Sequence, residues 1–394
     1  MSGLRILIAG AGLGGLAAAS NLIRAGHDVT VFEQAPVLGE IGAGIQLSAN
    51  AMHVLRHIGV AGEIEAVGVR PGAYVFRLYD TGEEISRFSL DEEHERLNGA
   101  PYVQVHRADL HEILARRALE LKPDLVRLNH RAVGCEESPT GATLHFADGT
   151  SATGDLLIGA DGVKSVVRRK VAGDVPATYT GDGAWRLTIP SDRLPKDFMG
   201  RVMSVWMGPG AHAVCYYLRN GKIFNFVGCM EKTEVSEESW TNKLPWEMLR
   251  ADFEGWHEDI QLVVNTVEKD SCYLWSLFTR PSIPNWSLRR TTLLGDSAHP
   301  TLPYLAQGAA MAIEDGAVLT RALAQEQDVS AALDLYQRNR VDRTSKIVRQ
   351  STANRGLFHI RDREVMREAF AKRDEGADRN RWLYSYNALT VPLA

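Results

Sequence analysis

Two periods of hydrophobic and polar positions run along the chain. Leu4 to Ala9 (LRILIA) is a short apolar run, the pattern of a strand buried on both faces. Leu13 to Ala25 gathers helix formers with small residues on one side, and Asp28 to Phe32 (DVTVF) predicts a second strand ending at Glu33. Helices are predicted from about Asn50 to Ile58 and over Ala309 to Ala324, and TTLLGD predicts a buried strand ending in Gly295-Asp296. From 181 to 280 the pattern turns to strands: AWRLTIP, RVMSVWMG, HAVCYYL and KIFNFVGCM. Between the last two lies Asn220-Gly221, the preferred pair for a two-residue type I′ hairpin turn. Counting back from it pairs Leu218 with Ile223, Tyr216 with Asn225, Val214 with Val227 and His212 with Cys229, so all eight side chains share one face. That face mixes aliphatic groups with His212, Tyr216 and Asn225. It suits a flat phenolic substrate, which needs apolar walls and a few convergent polar atoms; the alternative is the solvent side of an edge hairpin.

Length changes the picture first: 394 residues with 45% hydrophobic content exceed one small core and point to two intertwined domains. A net charge of -5 and a pI near 6.2 indicate no nucleic-acid partner and no anionic membrane surface. Cys135, Cys215, Cys229 and Cys272 fall at irregular spacings, which fits neither a metal site nor a disulfide framework and makes a reducing cytoplasm the expected home. The apolar start lacks a basic leader, and glycines interrupt it before it could span a bilayer.

The first strand runs directly into GAGLGG, placing Gly10, Gly12 and Gly15 in G-x-G-x-x-G register, with Leu13 and Gly14 between them. One glycine serves the turn, one lets backbone N–H groups approach a pyrophosphate, and one lets helix and strand pack closely. Glu33, about twenty residues on, is placed for the adenosine ribose, with Gln34 beside it. This βαβ unit predicts a dinucleotide site and does not separate NAD from FAD. Two further stretches bear on it. DLLIGADGVKSVVRR (Asp155 to Arg169) reads by itself as a strand, a turn at Asp161-Gly162 and a helix. GDSAHPTLPYLAQGAAMAIEDG (from Gly295) reads as a stiff strand-to-helix connection of the kind that sits at ligands, with Pro300 and Pro303 fixing its backbone.

Together these motifs resemble those of the FAD-dependent aromatic hydroxylases, along nearly the whole chain. The resemblance implies an α/β fold, with a Rossmann-like FAD-binding domain interleaved with a mixed β-sheet substrate domain and a C-terminal helical segment. Its boundaries are expected at 1–180 and 281–340 for FAD binding, 181–280 for substrate and 341–394 for the helical segment. By the same resemblance Asp161 and Gly162 help hold the pyrophosphate, Arg107 contacts FAD, and Asp296 binds the ribityl hydroxyls. Ala306, Gln307 and Gly308 open a helix whose N–H groups and positive end face the flavin pyrimidine ring. His212 polarises a ring hydroxyl, Tyr216 bonds the substrate, and Tyr304, Pro303 and Asn225 line the pocket, while His299 reads as structural. The implied activity is hydroxylation of salicylate or another hydroxybenzoate, using NADH or NADPH, O2 and a flavin C4a-hydroperoxide. A hydroxypyridine carboxylate such as 6-hydroxynicotinate, an N-hydroxylase or epoxidase, and a non-redox binding relative are the alternatives. The arginine-rich tail from Ala332 predicts a solvated or subunit-facing helix, and its aromatic end predicts docking on the body or in a homodimer.

Overall fold

The structure is a computed structural model that describes residues 3–39, 42–232, 243–374 and 380–394; two residues of the predicted Gly39 to Gly44 loop lie outside them. The first sheet has five parallel strands, in the spatial order Thr291–Leu293, Leu156–Gly159, Arg5–Ala9, Asp28–Phe32 and Val126–Arg127. Its central strands are buried on both faces, as their unbroken apolar runs require. The helix Leu13–Arg24 covers it and packs on a second helix, Gly308–Gln325, whose Gly316 fits so closely that an added Cβ would stand 2.8 Å from the Ala18 Cα.

The second sheet has seven strands, in the order Tyr273–Thr279, Thr178–Pro190, Ile223–Glu231, Ala211–Leu218, Met203–Gly208, Ala73–Leu78 and Glu84–Ser89. Its pairings are antiparallel apart from Met203–Gly208 with Ala73–Leu78. The last two strands come from within 1–180, so this sheet draws on more of the chain than the stretch expected to build it. The hairpin has the predicted register at all four pairs. Asn220 (φ 56, ψ 28) and Gly221 (φ 90) have type I′ geometry, and the Lys222 N–H donates to the Arg219 carbonyl at 3.1 Å. Arg219 is also left-handed (φ 49), which ends the ladder at Leu218 and Ile223.

The helix Val329–Phe358 lies against Gly308–Gln325, and here one expectation is corrected. Arg338 and Arg349 are exposed as expected, but Arg340 and Arg343 turn inward. Arg340 is fully buried, with its Nε 2.7 Å from Asp315 Oδ1 and its Nη1 2.8 Å from Glu314 Oε2; Arg343 holds Glu314 at 2.8 Å. The reason is the charge of IEDG, two carboxylates on a helix buried on all sides, which must be paired to be tolerated. His299 Nε2 completes the group at 2.6 Å from Asp315 Oδ2, in the structural role expected of it. Leu383, Tyr384 and Ala388 dock the chain end on the body, and Tyr386 packs under Arg343 at 3.7 Å. Among the described residues, no helix is long and apolar enough to cross a membrane.

Arg340→Met would leave buried Glu314 to Arg343 and buried Asp315 to His299 alone, and is expected to cost about 3–5 kcal/mol in urea denaturation. Burial raises the Asp315 pKa, but His299 and Arg340 outweigh it and hold the acid at about 2. The contribution of these partners is therefore full above the ordinary value of 3.8 and is lost as pH falls towards about 2, a slope the variant, which keeps His299, should show in reduced form.

Candidate functional site

The Gly-rich turn sits at the carboxyl end of the parallel sheet, where open α/β sheets bind ligands. Gly10 (φ 104) has no room for a side chain, since a Cβ would lie 2.5 Å from the Ala160 carbonyl oxygen, and one on Gly15 would collide with the Gly10 carbonyl. The turn is therefore shaped by close backbone approach. Gly12 precedes the helix Leu13–Arg24, and a Cβ on Gly14 would meet Leu294 at 2.9 Å. Leu13 is buried in the core, so only its backbone N–H could serve a ligand. Glu33 accepts from the Ala11 N–H and, through its other oxygen, from the Ala35 N–H, each at 2.9 Å; Gln34 beside it is exposed. Thus the acid and the Gly-rich turn are joined directly.

The other predicted motifs converge on the same end. Asp161 follows the strand next to Arg5–Ala9, and its carboxylate caps the helix Val166–Ala172 by accepting from the Val166 N–H at 2.7 Å and from Ser165. Gly162 takes φ 73 there, as a strand-to-helix turn requires. Arg168 of that helix donates to the Ser297 carbonyl at 3.0 Å and so ties this motif to the loop of the third. From Thr291 to Pro300 every residue is buried except Asp296, which points away from the core. It stands beside the start of Gly308–Gln325: a Cβ on Gly308 would lie 4.0 Å from Asp296 Oδ1. Ala306 is left-handed (φ 52) and turns the chain into that helix. The Gln307 side chain is held by Asn50 (3.0 Å) and Ser48 (2.9 Å), so at this position too only the backbone is available.

Arg107 begins the helix Arg107–Leu121 and packs across Gly42, where a Cβ would meet its Cδ at 2.8 Å. Two residues further, the Gly44 N–H donates to Asn225 Oδ1 at 2.9 Å, and a side chain on Gly44 would strike the Tyr216 hydroxyl. The hairpin face is thus buried against the first domain rather than facing solvent. Burial pushes the Tyr216 hydroxyl up, so it stays protonated. His212 lies 5.2 Å, ring to ring, from Tyr304, and its Nδ1 is 2.9 Å from His359 Nε2. Tyr304, next to Pro303, donates to Asp182 at 2.6 Å, and Arg355 holds the same carboxylate at 2.6 and 2.7 Å.

Several residues at this face escaped the sequence reading. His359 and Arg355 come from the far end of the tail, where no local pattern links them to the hairpin. The buried Gln104 amide has no partner for either end, and Asn225 Nδ2 has none. Arg186 is a third case, with its Nε buried and unbonded. A charge between Trp185 and Leu187 in AWRLTIP was the signal available for it. Among the described residues no cluster could hold a metal ion.

A tight glycine cradle, an acid on it, one exposed aspartate in a buried loop and a free helix start together fit a dinucleotide of FAD's shape. Comparison with known proteins agrees. Residues 4–351 match the family model described as FAD binding domain. A 3-amino-4-hydroxybenzoate 2-monooxygenase of Streptomyces platensis is 37% identical, covering 98% of this chain and 97% of that protein. A 6-hydroxynicotinate 3-monooxygenase of Bordetella bronchiseptica is 36% identical, with 99% and 97% covered. The crystal structure of Klebsiella pneumoniae HpxO complexed with FAD and uric acid superposes with a TM-score of 0.81 at 28% identity, covering 94% of this chain and 92% of that one.

Gly10→Ala is expected to purify with at least tenfold less flavin per protein by visible absorbance, because the left-handed turn and the Ala160 contact both resist a Cβ. Asp296→Ala should also lose flavin while melting within a few degrees of the parent.

Proposed function

The chain belongs to the FAD-dependent aromatic hydroxylases, and from that premise we propose that it hydroxylates a small phenolic carboxylate, a hydroxybenzoate, with NADH or NADPH and O2 as co-substrates. The observation that carries this reading is the buried hairpin face, where Tyr216 and Asn225 stand against Gly44 and His212, on the same face four residues along the strand, stands against Tyr304 and His359. The relatives' names, all ring carboxylates with a hydroxyl group, support it. FAD, when bound, supplies the reduced ring that takes up O2 and passes on one oxygen atom.

In this reading Glu33 takes the adenosine ribose, Asp296 the ribityl chain, and Arg107 with Asp161 and Gly162 the remaining FAD contacts. The N–H groups opening Gly308–Gln325 favour negative charge on the flavin's pyrimidine edge. Burial, and then His359, hold His212 well below the ordinary 6.5, so at neutral pH it is an uncharged base. When its Nδ1–H is donated to His359, its Nε2 takes the proton of a ring hydroxyl. The Nδ1 proton passes to His359 Nε2, and the His359 Nδ1 proton moves towards Glu231, 3.5 Å away and partly exposed. Each transfer makes one bond to hydrogen and breaks one, and the phenolate left behind is more electron-rich. Tyr216 donates its hydrogen bond to the substrate. The same face suits a hydroxypyridine carboxylate, a second reading favoured by the 36% identical 6-hydroxynicotinate 3-monooxygenase.

The test is NADH and NADPH oxidation by FAD-loaded protein with salicylate, 3-hydroxybenzoate, 4-hydroxybenzoate and 6-hydroxynicotinate, with products identified by mass. One compound should stimulate oxidation strongly and gain one oxygen atom. His212→Ala should lower hydroxylation by about 100-fold with flavin content retained, and Tyr216→Phe by about tenfold. Full turnover in both variants would remove the hairpin face from the site. The acid limb of the pH profile should lie below 6.5, since the base is lost only as pH falls through a depressed value; a limb at 6.5 or above would count against His212.

A further inference from the structure

Arg186 lies on the strand Thr178–Pro190, between Trp185 and Leu187, which both point into the second sheet's own core. Alternation turns Arg186 to the other face, the one shared by Ala184, Val227, Cys229 and Tyr216. The guanidinium carbon stacks 4.1 Å from the centre of the Trp275 ring, which fixes its plane. Its Nε is buried without a hydrogen-bond partner, and among the described residues no carboxylate pairs with it. The titratable groups nearest it are Cys229 and Tyr216, which burial keeps protonated, and Arg107, a second cation. The residue lies deep in the protein and is not fully covered by it.

Burying a cation with no anion beside it is unfavourable, and natural structures tolerate it where a ligand completes the pair. Strand register says where that ligand would sit. Arg186 is level with Val227 and Val214, midway between the row of Cys229 with His212 and the row of Asn225 with Tyr216. At about 4.8 Å per strand its Cα is roughly 10 Å from that of Val214, so one aromatic ring lying over Val227 would span from the arginine to the hairpin. We propose that Arg186 is the carboxylate anchor of the substrate site, receiving the acid group of the ring in a planar, two-pronged hydrogen bond while His212 and Tyr216 take the hydroxyl. This rests on the phenolic-acid reading above and assigns the half of the substrate that the hairpin leaves uncontacted. Arginine suits the task because its rigid fork matches a carboxylate, which lysine cannot do.

The experiment titrates FAD-loaded wild type, Arg186→Met and Arg186→Lys with salicylate, 3-hydroxybenzoate, 4-hydroxybenzoate and 6-hydroxynicotinate. The amides of the same rings and phenol follow, with perturbation of the flavin absorbance and equilibrium dialysis as readouts. Arg186→Met should weaken the preferred acid by about 100-fold, or about 2.8 kcal/mol, and leave phenol and the amide within about threefold. Arg186→Lys should lose about tenfold for the acid alone. Equal weakening of acid and amide, or unchanged acid binding, would overturn the assignment while the phenolic-acid reading stands. If no acid binds the FAD-loaded wild type, that reading fails and the anchor with it. Should Arg186→Met not retain flavin, Arg186→Lys decides: an unaltered preference for acid over amide refutes the anchor.

Discussion

The arrangement depends on one buried constraint, the pairing of Glu314 and Asp315 with Arg340, Arg343 and His299. Two fully buried carboxylates side by side on one helix would be untenable alone. Their partners come from three places: the loop after Thr291–Leu293, the helix Val329–Phe358, and Asn50 of a separate helix at 2.6 Å from Glu314. Asp315 also accepts the Gly295 N–H at 2.9 Å. Satisfying these charges therefore sets the backbone of the loop that carries Asp296. Stability and the cofactor side of the site share one set of bonds.

The long helix extends the same control to the substrate side. Ser351 donates to the Leu302 carbonyl at 2.7 Å and Asn354 to that of Tyr304 at 3.0 Å, so this helix holds the segment with Pro303 from behind. One turn on, Arg355 fixes Asp182, and Asp182 fixes the Tyr304 hydroxyl. His359 then meets His212. A single helix thus contacts the flavin-side loop, the second sheet and the proposed base, which makes their relative placement a property of one rigid rod rather than of several loops.

Legibility followed range. GAGLGG with Glu33 was readable because strand, turn and helix are contiguous, and the hairpin register was readable because Asn220-Gly221 fixes it and side chains alternate with a period of two. The helix start at Gly308 was readable for the same local reason. What could not be read depends on partners distant in sequence. Arg340 and Arg343 look as solvated as Arg338 and Arg349 until Glu314 and Asp315 are known to be buried, and the strands at Ala73–Leu78 and Glu84–Ser89 join the second sheet by a pairing that no local pattern announces. Asp161 shows a subtler limit. Its capping of the next helix and a part in cofactor binding need the same sequence, so the motif alone could not separate them.

Buried polar atoms without a partner occur in several places among the described residues, His299 Nδ1 and Arg168 Nε included, and one group of them lies at the hairpin face. Around Asp315 every charge has a partner, because an unmet one would cost more than folding can spare. Around the hairpin face Asn225 Nδ2, both ends of the Gln104 amide and Arg186 Nε are left unmet within the same fold. In the proposed reading a ligand's own polar groups complete those at the hairpin face. The cost is then recovered on binding, and recovered only by a molecule with acceptors in the right places. Selectivity against an apolar ring of the same shape follows from that unpaid desolvation, without any steric gate.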